Sequence, residues 1–112
     1  MFEEIDRLDT AAWASHLAPD AVLRVGNSDP VHGRDACRAE LLGLLARIDG
    51  VRHHIVEQWE HGDATIVEAN VTYTRIDGRQ FTLPVVTIYR TDASDLIRDY
   101  RVYADLASLL EP

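Results

Sequence analysis

Ile66-Val67-Glu68-Ala69-Asn70-Val71-Thr72-Tyr73-Thr74 changes character at almost every step, and how it is read decides the fold. Successive residues of an extended strand point to opposite faces. Val67, Ala69, Val71 and Tyr73 therefore share one side, and Ile66, Glu68, Asn70, Thr72 and Thr74 the other. Taken from the residues alone, the polar row faces solvent, as in most half-buried antiparallel strands. The stretch sits in an extended run over 64–75, bounded by His61-Gly62-Asp63 and Asp77-Gly78. Gly-Asp and Asp-Gly pairs at such places are hairpin signals. Comparable runs lie at about 52–60, 80–90 and 96–104, so antiparallel neighbours are expected along this half of the chain.

Upstream of Gly50 the period is helical. Phe2, Ile5 and Leu8 fall on one helix face, and Asp9-Thr10 restarts the helix ahead of Ala11-Ala12-Trp13-Ala14. This reading takes the first eighteen residues as helix, ended by Pro19. Ala21 to Val25 is a short strand candidate, Gly26-Asn27-Ser28-Asp29-Pro30 a cluster of turn formers, and a loop continues to Gly33. From Arg34 to Ile48, Cys37, Leu41, Leu44, Leu45 and Ile48 form one apolar stripe, with Asp49-Gly50 as the stop. Leu106 to Leu110 is apolar enough to pack. Helices first and strands after is the α+β order, with helices covering one face of an antiparallel sheet.

At 112 residues the chain is read as one domain with room for one core and one pocket. Nineteen acidic residues against eleven Lys and Arg give a charge of −8, and the bases are scattered without a run. No nucleic-acid partner is expected, since binding a phosphate backbone needs a concentrated positive face. Nor is a membrane partner expected, because no apolar stretch approaches the roughly 18 residues of a span and no secretory leader opens the chain. A cytoplasmic location follows as the expectation. Cys37, alone, forms neither an internal disulfide nor a zinc site and reads as a small buried hydrophobe.

The order and spacing of these pieces resemble one large superfamily. It holds nuclear transport factor two, ketosteroid isomerase, limonene-epoxide hydrolase, scytalone dehydratase and the SnoaL-like polyketide cyclases. The resemblance rests on Leu17-Ala18-Pro19-Asp20-Ala21-Val22, on Val31-His32-Gly33-Arg34-Asp35-Ala36, on Val71 to Gly78 and on Ile97 to Leu106. It implies one cone-shaped α+β domain over 1–112, a cystatin-like barrel whose N-terminal helices pack in a strongly curved antiparallel sheet. It also implies a deep pocket and a homodimer through the outer sheet face. Placed on these relatives, even-numbered positions of 66–74 point into the cone. That reverses the solvent-facing reading: Glu68, Asn70, Thr72 and Thr74 would line the pocket, and Val67, Ala69, Val71 and Tyr73 would form the covered outer face.

The relatives' known machinery does not carry over. The isomerase base falls on Val25, its oxyanion aspartic acid near Val86 and its tyrosine at or before Met1. The Asp-Arg-Asp of the epoxide hydrolase falls on Asn70, Thr72 and Val102, and the acid of the cyclases on Val102 or Asp105. Arg75-Ile76-Asp77 repeats an Arg-x-Asp spacing but reads as a turn with solvated charges.

Candidate catalytic residues are Glu68, Asn70, His54, Tyr100 and Asp105. A carboxyl inside an apolar cone is poised for acid–base work by desolvation, and Asn70 and Tyr100 would orient a carbonyl or hydroxyl. Trp13, Asn27, His53, Trp59, Thr72, Val86 and Val102 are candidate pocket walls. His53 and His54 are adjacent on a strand, so at most one enters the pocket. His16, His32 and His61 are dispersed, and no metal site or cofactor is expected. The function expected is proton transfer on a modest, largely apolar small molecule, by isomerisation, dehydration, aldol-type cyclisation or water addition. The alternative is a non-catalytic dimeric module that binds a ligand or a protein. An anionic substrate is disfavoured unless Arg24 or Arg98 reaches the pocket.

Overall fold

In the computed structural model, which describes residues 1–110, the odd-numbered row of residues 67–73 is the buried one. Val71 has no exposed surface, and Val67, Ala69 and Tyr73 are buried beside it, while Glu68 and Asn70 are exposed. The solvent-facing reading of the polar row therefore holds, and the inward placement taken from the relatives is corrected. The physical reason is the two-residue period itself: moving a placement by one position carries every side chain to the opposite face.

The elements run α1 (Phe2–Asp6), α2 (Thr10–Ala14), β1 (Leu17–Val25), β2 (Val31–His32), α3 (Arg34–Leu45), β3 (Ile48–His61), β4 (Ala64–Arg75), β5 (Gln80–Thr91), β6 (Ile97–Tyr103) and α4 (Ala107–Leu110). The strands form one curved, unclosed sheet in the order β2-β1-β6-β5-β4-β3. The hairpins β3–β4, β4–β5 and β5–β6 are antiparallel, whereas β1 and β6 pair in parallel. Gly62 and Gly78 turn two of these hairpins with positive φ, as the Gly-Asp and Asp-Gly pairs require. The α+β cone expected from the resemblance is the fold observed.

Its helical layer is more broken than the expected eighteen-residue stretch. α1 ends at Asp6 because Leu8 takes φ +60, and Asp9 then caps α2 by accepting from the Ala12 amide at 3.0 Å. Pro19 does not stop a helix. It lies inside β1, where the β1–β6 register shifts between Leu17 and Val22, so no ladder bond asks for the amide that proline lacks. α3 stops at Leu45 rather than Ile48. Asp49 and Gly50 belong to β3, beside a register shift between Ile48 and Gly50.

Register then assigns every strand a face. Inward rungs are Val51–Tyr73–Phe81, His53–Val71–Leu83, Val67–Thr87–Val102 and Tyr89–Tyr100–Leu23. Against them pack Phe2, Ile5, Trp13, Leu17, Cys37 and Leu45. Outward rungs are His54–Asn70–Pro84, Glu57–Glu68–Val86–Tyr103 and Trp59–Ile66–Ile88. An apolar outer row thus exists, but it is Trp59, Ile66, Val86, Ile88 and Tyr103, not the Val67 row.

These faces set opposite expectations for substitution. Leu17→Ala should cost about 2–5 kcal/mol in urea unfolding, as for other fully enclosed leucines. Glu68→Gln should stay within about 0.5 kcal/mol, as surface changes do. A large loss at Glu68 with a small one at Leu17 would contradict the assignment of faces.

Candidate functional site

α1 lies against β3, which is an edge of the sheet and so has amide groups with no neighbouring strand. Asp6, the last residue of α1, fills this need at one point. Its carboxylate accepts from the backbone N–H of His53 at 3.1 and 3.2 Å and pairs with the Nδ1 of the same residue at 2.6 Å. The imidazole is fixed further by Phe2, whose ring centroid lies 5.0 Å away. With Nδ1 held by a carboxylate, the neutral ring carries its proton there and leaves Nε2 as the basic atom. Among the described residues, none hydrogen-bonds to that Nε2.

His53 lines a small cavity of about 50 Å³ between the helices and the sheet. Most of its wall is aliphatic, including Ile5, Leu23, Val51 and Val85. Four polar groups interrupt this wall besides His53: Trp13, Tyr73, Thr87 and Tyr100. Burial, and after it the charge of Asp6, pushes the Tyr73 phenol up to about 12. Tyr73 lies two positions along β4 from Val71, the residue opposite His53. Tyr100 is 3% exposed, and burial drives its phenol far above the ordinary range against the opposing pull of Trp13 and Thr87. The indole of Trp13 meets the Tyr100 ring edge-on, with centroids 5.4 Å apart.

Val25, Leu41, Leu44 and Leu106 also line an open groove of about 640 Å³ outside the cavity. They form a thin apolar wall between chamber and groove, which explains why Leu41 and Leu44 on the α3 stripe are only half-buried. Asn27 and Asp105 stand on the groove and are exposed. Asp105 accepts from the Ala107 amide at 3.1 Å and so serves the start of α4. Arg75, expected among solvated charges, instead donates to the Ser108 carbonyl at 3.0 Å while pairing with Asp77 at 3.3 Å, clasping the tail to the sheet.

The cavity therefore gathers His53, Tyr100, Trp13 and Val102 from the residues singled out in the sequence. It does not gather the others. Glu68, Asn70 and His54 are exposed on the outer face. Thr72 faces outward with them, its hydroxyl 2.9 Å from that of Thr82, and Val86 is on the same side opposite Glu68. Trp59 is 43% exposed beside Ile66. Of the two histidines, His53 points in because it pairs with Val71, and His54 points out with Asn70. Tyr73 and Thr87 complete the chamber wall and Asp6 holds His53 in it; none of the three was foreseen. Asp6 carried no signal, since its partner is 47 positions away. Tyr73 and Thr87 would follow from the correct parity of β4, which passes to β5 through the Val67–Thr87 pair. Arg98 is held by Asp63 at 2.6 Å and Arg24 donates to the Ser28 carbonyl at 3.1 Å; neither lines the cavity. Among the described residues, no group of three or more His, Cys, Asp and Glu could hold a metal ion.

The sequence profile of the SnoaL-like domain matches residues 1–100. Solved structures share the cone at low identity. An NTF2-like protein of unknown function from Burkholderia pseudomallei is 22% identical, with a TM-score of 0.86 over 97% of this chain and 88% of its own. A putative SnoaL-like polyketide cyclase from Jannaschia is 16% identical, with a TM-score of 0.80 over 91% and 76%. An LEH-like epoxide hydrolase from M. tuberculosis is 16% identical, with a TM-score of 0.78 over 97% and 80%. Likeness at this identity establishes the fold alone. None of the curated proteins matches the sequence.

The buried phenols give the site a pH signature. Tyr73 ionises near 10.0 in the unfolded chain and at about 12 in the fold, so the folded state holds its proton longer. Its contribution is complete below the unfolded value and is lost as pH climbs through the folded one. Tyr73→Phe should flatten the fall in unfolding free energy between those two values; an identical alkaline decline in both proteins would show that the phenol is not buried.

Proposed function

The chain belongs to the SnoaL-like domain family, and we propose that it acts within that family as an acid–base enzyme whose proton-transferring group is His53. The observation that carries this reading is the 2.6 Å pair between Asp6 and His53 at the wall of a small, mostly aliphatic cavity. Asp6 holds the ring in one tautomer and stabilises the imidazolium formed when Nε2 takes a proton. Tyr73, kept neutral by burial, is suited to donate a hydrogen bond to an oxygen that gains charge during the transfer. The substrate is a small, largely apolar, uncharged molecule. An anion would lose its hydration with no arginine or lysine on the cavity wall to replace it.

The reaction is a proton transfer of the kind used in isomerisation, dehydration, aldol-type cyclisation or water addition. Glu68, Asn70, His54 and Asp105 have no part in it, because each is exposed away from the chamber. The alternative, a module that binds a ligand without converting it, shares the same cavity and differs only in the use of Nε2. On the outer face we propose a second copy of the chain as the partner. The row of Trp59, Ile66, Val86, Ile88 and Tyr103 is flanked by both Glu57 and Glu68 and by Arg52 and Arg101, a charge mixture that can complement itself. Sedimentation at micromolar concentration should find a dimer that Trp59→Asp converts to monomer.

Incubation in D₂O with a panel of small ketones, enones and epoxides, followed by NMR, tests the catalytic reading. The protein should accelerate α-proton exchange or ring opening of at least one compound. His53→Gln should lower that rate by about 10²–10⁴-fold, the usual worth of a positioned acid or base. Glu68→Gln should leave it unchanged. Equal rates in wild-type and His53→Gln protein would refute the assignment, and saturable binding without any conversion would establish the binding module instead.

A further inference from the structure

The Trp13 indole N–H is a buried donor without a protein acceptor. The residue is 1% exposed and lines the inner cavity. The indole meets the Tyr100 ring edge-on, with centroids 5.4 Å apart, yet its nitrogen makes no hydrogen bond of acceptable geometry. An unmet buried donor costs roughly 1–3 kcal/mol, so an orphan of this kind calls for an explanation. Tryptophan can only donate. A phenylalanine would fill the same position without the polar atom.

Two hydroxyls stand with it. Thr87 is buried at 4% exposure, on the β5 rung between Val67 and Val102, and Tyr100 follows on β6. Trp13, Thr87 and Tyr100 all line the chamber, the indole edge-on to the Tyr100 ring and Thr87 diagonal to Tyr100 across the β5–β6 ladder. His53 and Tyr73 stand on β3 and β4, across the sheet. The chamber wall thus carries two sets of polar side chains: a proton-transferring pole at His53, held by Asp6, and a donor pole at Trp13, Thr87 and Tyr100.

We propose that the donor pole is a binding subsite for the carbonyl oxygen of an uncharged ligand, with Trp13 Nε1–H as the specificity-determining donor. The chamber, at about 50 Å³, takes the carbonyl end of the ligand, and its apolar body extends past Val25, Leu41, Leu44 and Leu106 into the groove of about 640 Å³. A carboxylate or phosphate is disfavoured, because one indole and two neutral hydroxyls do not offset the loss of hydration of a full charge. A hydrocarbon of the same shape would fit but would leave the donor unmet. The subsite rests on the proposed function only in taking the same chamber as the ligand site, and it does not require His53 to move a proton.

The test uses a pair of probes of nearly equal shape, cyclopentanone and methylenecyclopentane, titrated into ¹⁵N-labelled protein. The Trp13 indole resonance is identified by its disappearance in Trp13→Phe, which leaves that of Trp59. Cyclopentanone should move the Trp13 N–H signal downfield, and methylenecyclopentane should not. The ketone should also bind about five- to tenfold more tightly, the worth of one net hydrogen bond of about 1 kcal/mol or slightly more. Trp13→Phe should abolish this preference while both probes still bind. Should that variant fail to fold, Thr87→Val serves: the Trp13 signal must still respond to the ketone, with a reduced shift. Equal affinities for the two probes, an indole signal unmoved by the ketone, or no binding of either overturns the subsite. In His53→Gln protein the ketone preference should persist even though proton exchange is lost, which separates failure of the subsite from failure of the catalytic reading.

Discussion

Burial of the odd-numbered side of β4 is the constraint on which the remaining geometry depends. Val71 has no exposed surface and Val67 almost none. Once that row faces the helices, hydrogen-bond register carries the choice across the sheet. Val71 turns His53 inward, Val67 turns Thr87 inward, and Thr87 in turn sets Val102 and its neighbour two positions away, Tyr100. No catalytic group needs to choose its own direction. The same rule sends His54, Asn70, Glu68 and Tyr103 to the outer face.

Within this frame α1 does more than cover the cone. It brings Asp6 to an edge strand whose amide needs an acceptor, and one carboxylate then serves both the His53 backbone and the His53 ring. The imidazole is oriented by an interaction that also secures the helix. A second carboxylate–imidazole contact, Glu4 with His16 at 2.6 Å, ties the same helix to the segment entering β1. Helix docking and site assembly are therefore coupled. Loss of α1 packing would free the imidazole even with every sheet residue in place.

Much of the fold was legible because it is written in short-range chemistry. Alternation marked β4, Gly62-Asp63 and Asp77-Gly78 marked its hairpins, and Asp9 marked the start of α2 through the cap it forms. The cone itself followed from the order of these pieces. The site was harder to read for a physical reason. An enclosed cavity is defined by direction, and direction along a strand reverses with a shift of one residue. The residues alone put Glu68 and Asn70 in solvent, where they are; placement on distant relatives turned them inward and with them the expected catalytic group. Tyr100 and Trp13 were placed inward because neither depended on that alignment of β4. Asp6 was hidden, since a short helix meeting an edge strand 47 positions later leaves no local pattern.

The central claim is that Asp6 holds His53 with Nδ1 protonated and Nε2 free toward the chamber. The ¹⁵N shifts and long-range couplings of the histidine ring report the tautomer directly, at a pH where the imidazole is neutral. The account predicts that His53 is the Nδ1–H tautomer and that Asp6→Asn shifts it toward the Nε2–H form common in free histidine, with His54 unaffected. A His53 ring already in the Nε2–H form in the wild-type protein, or one indifferent to Asp6→Asn, would contradict it.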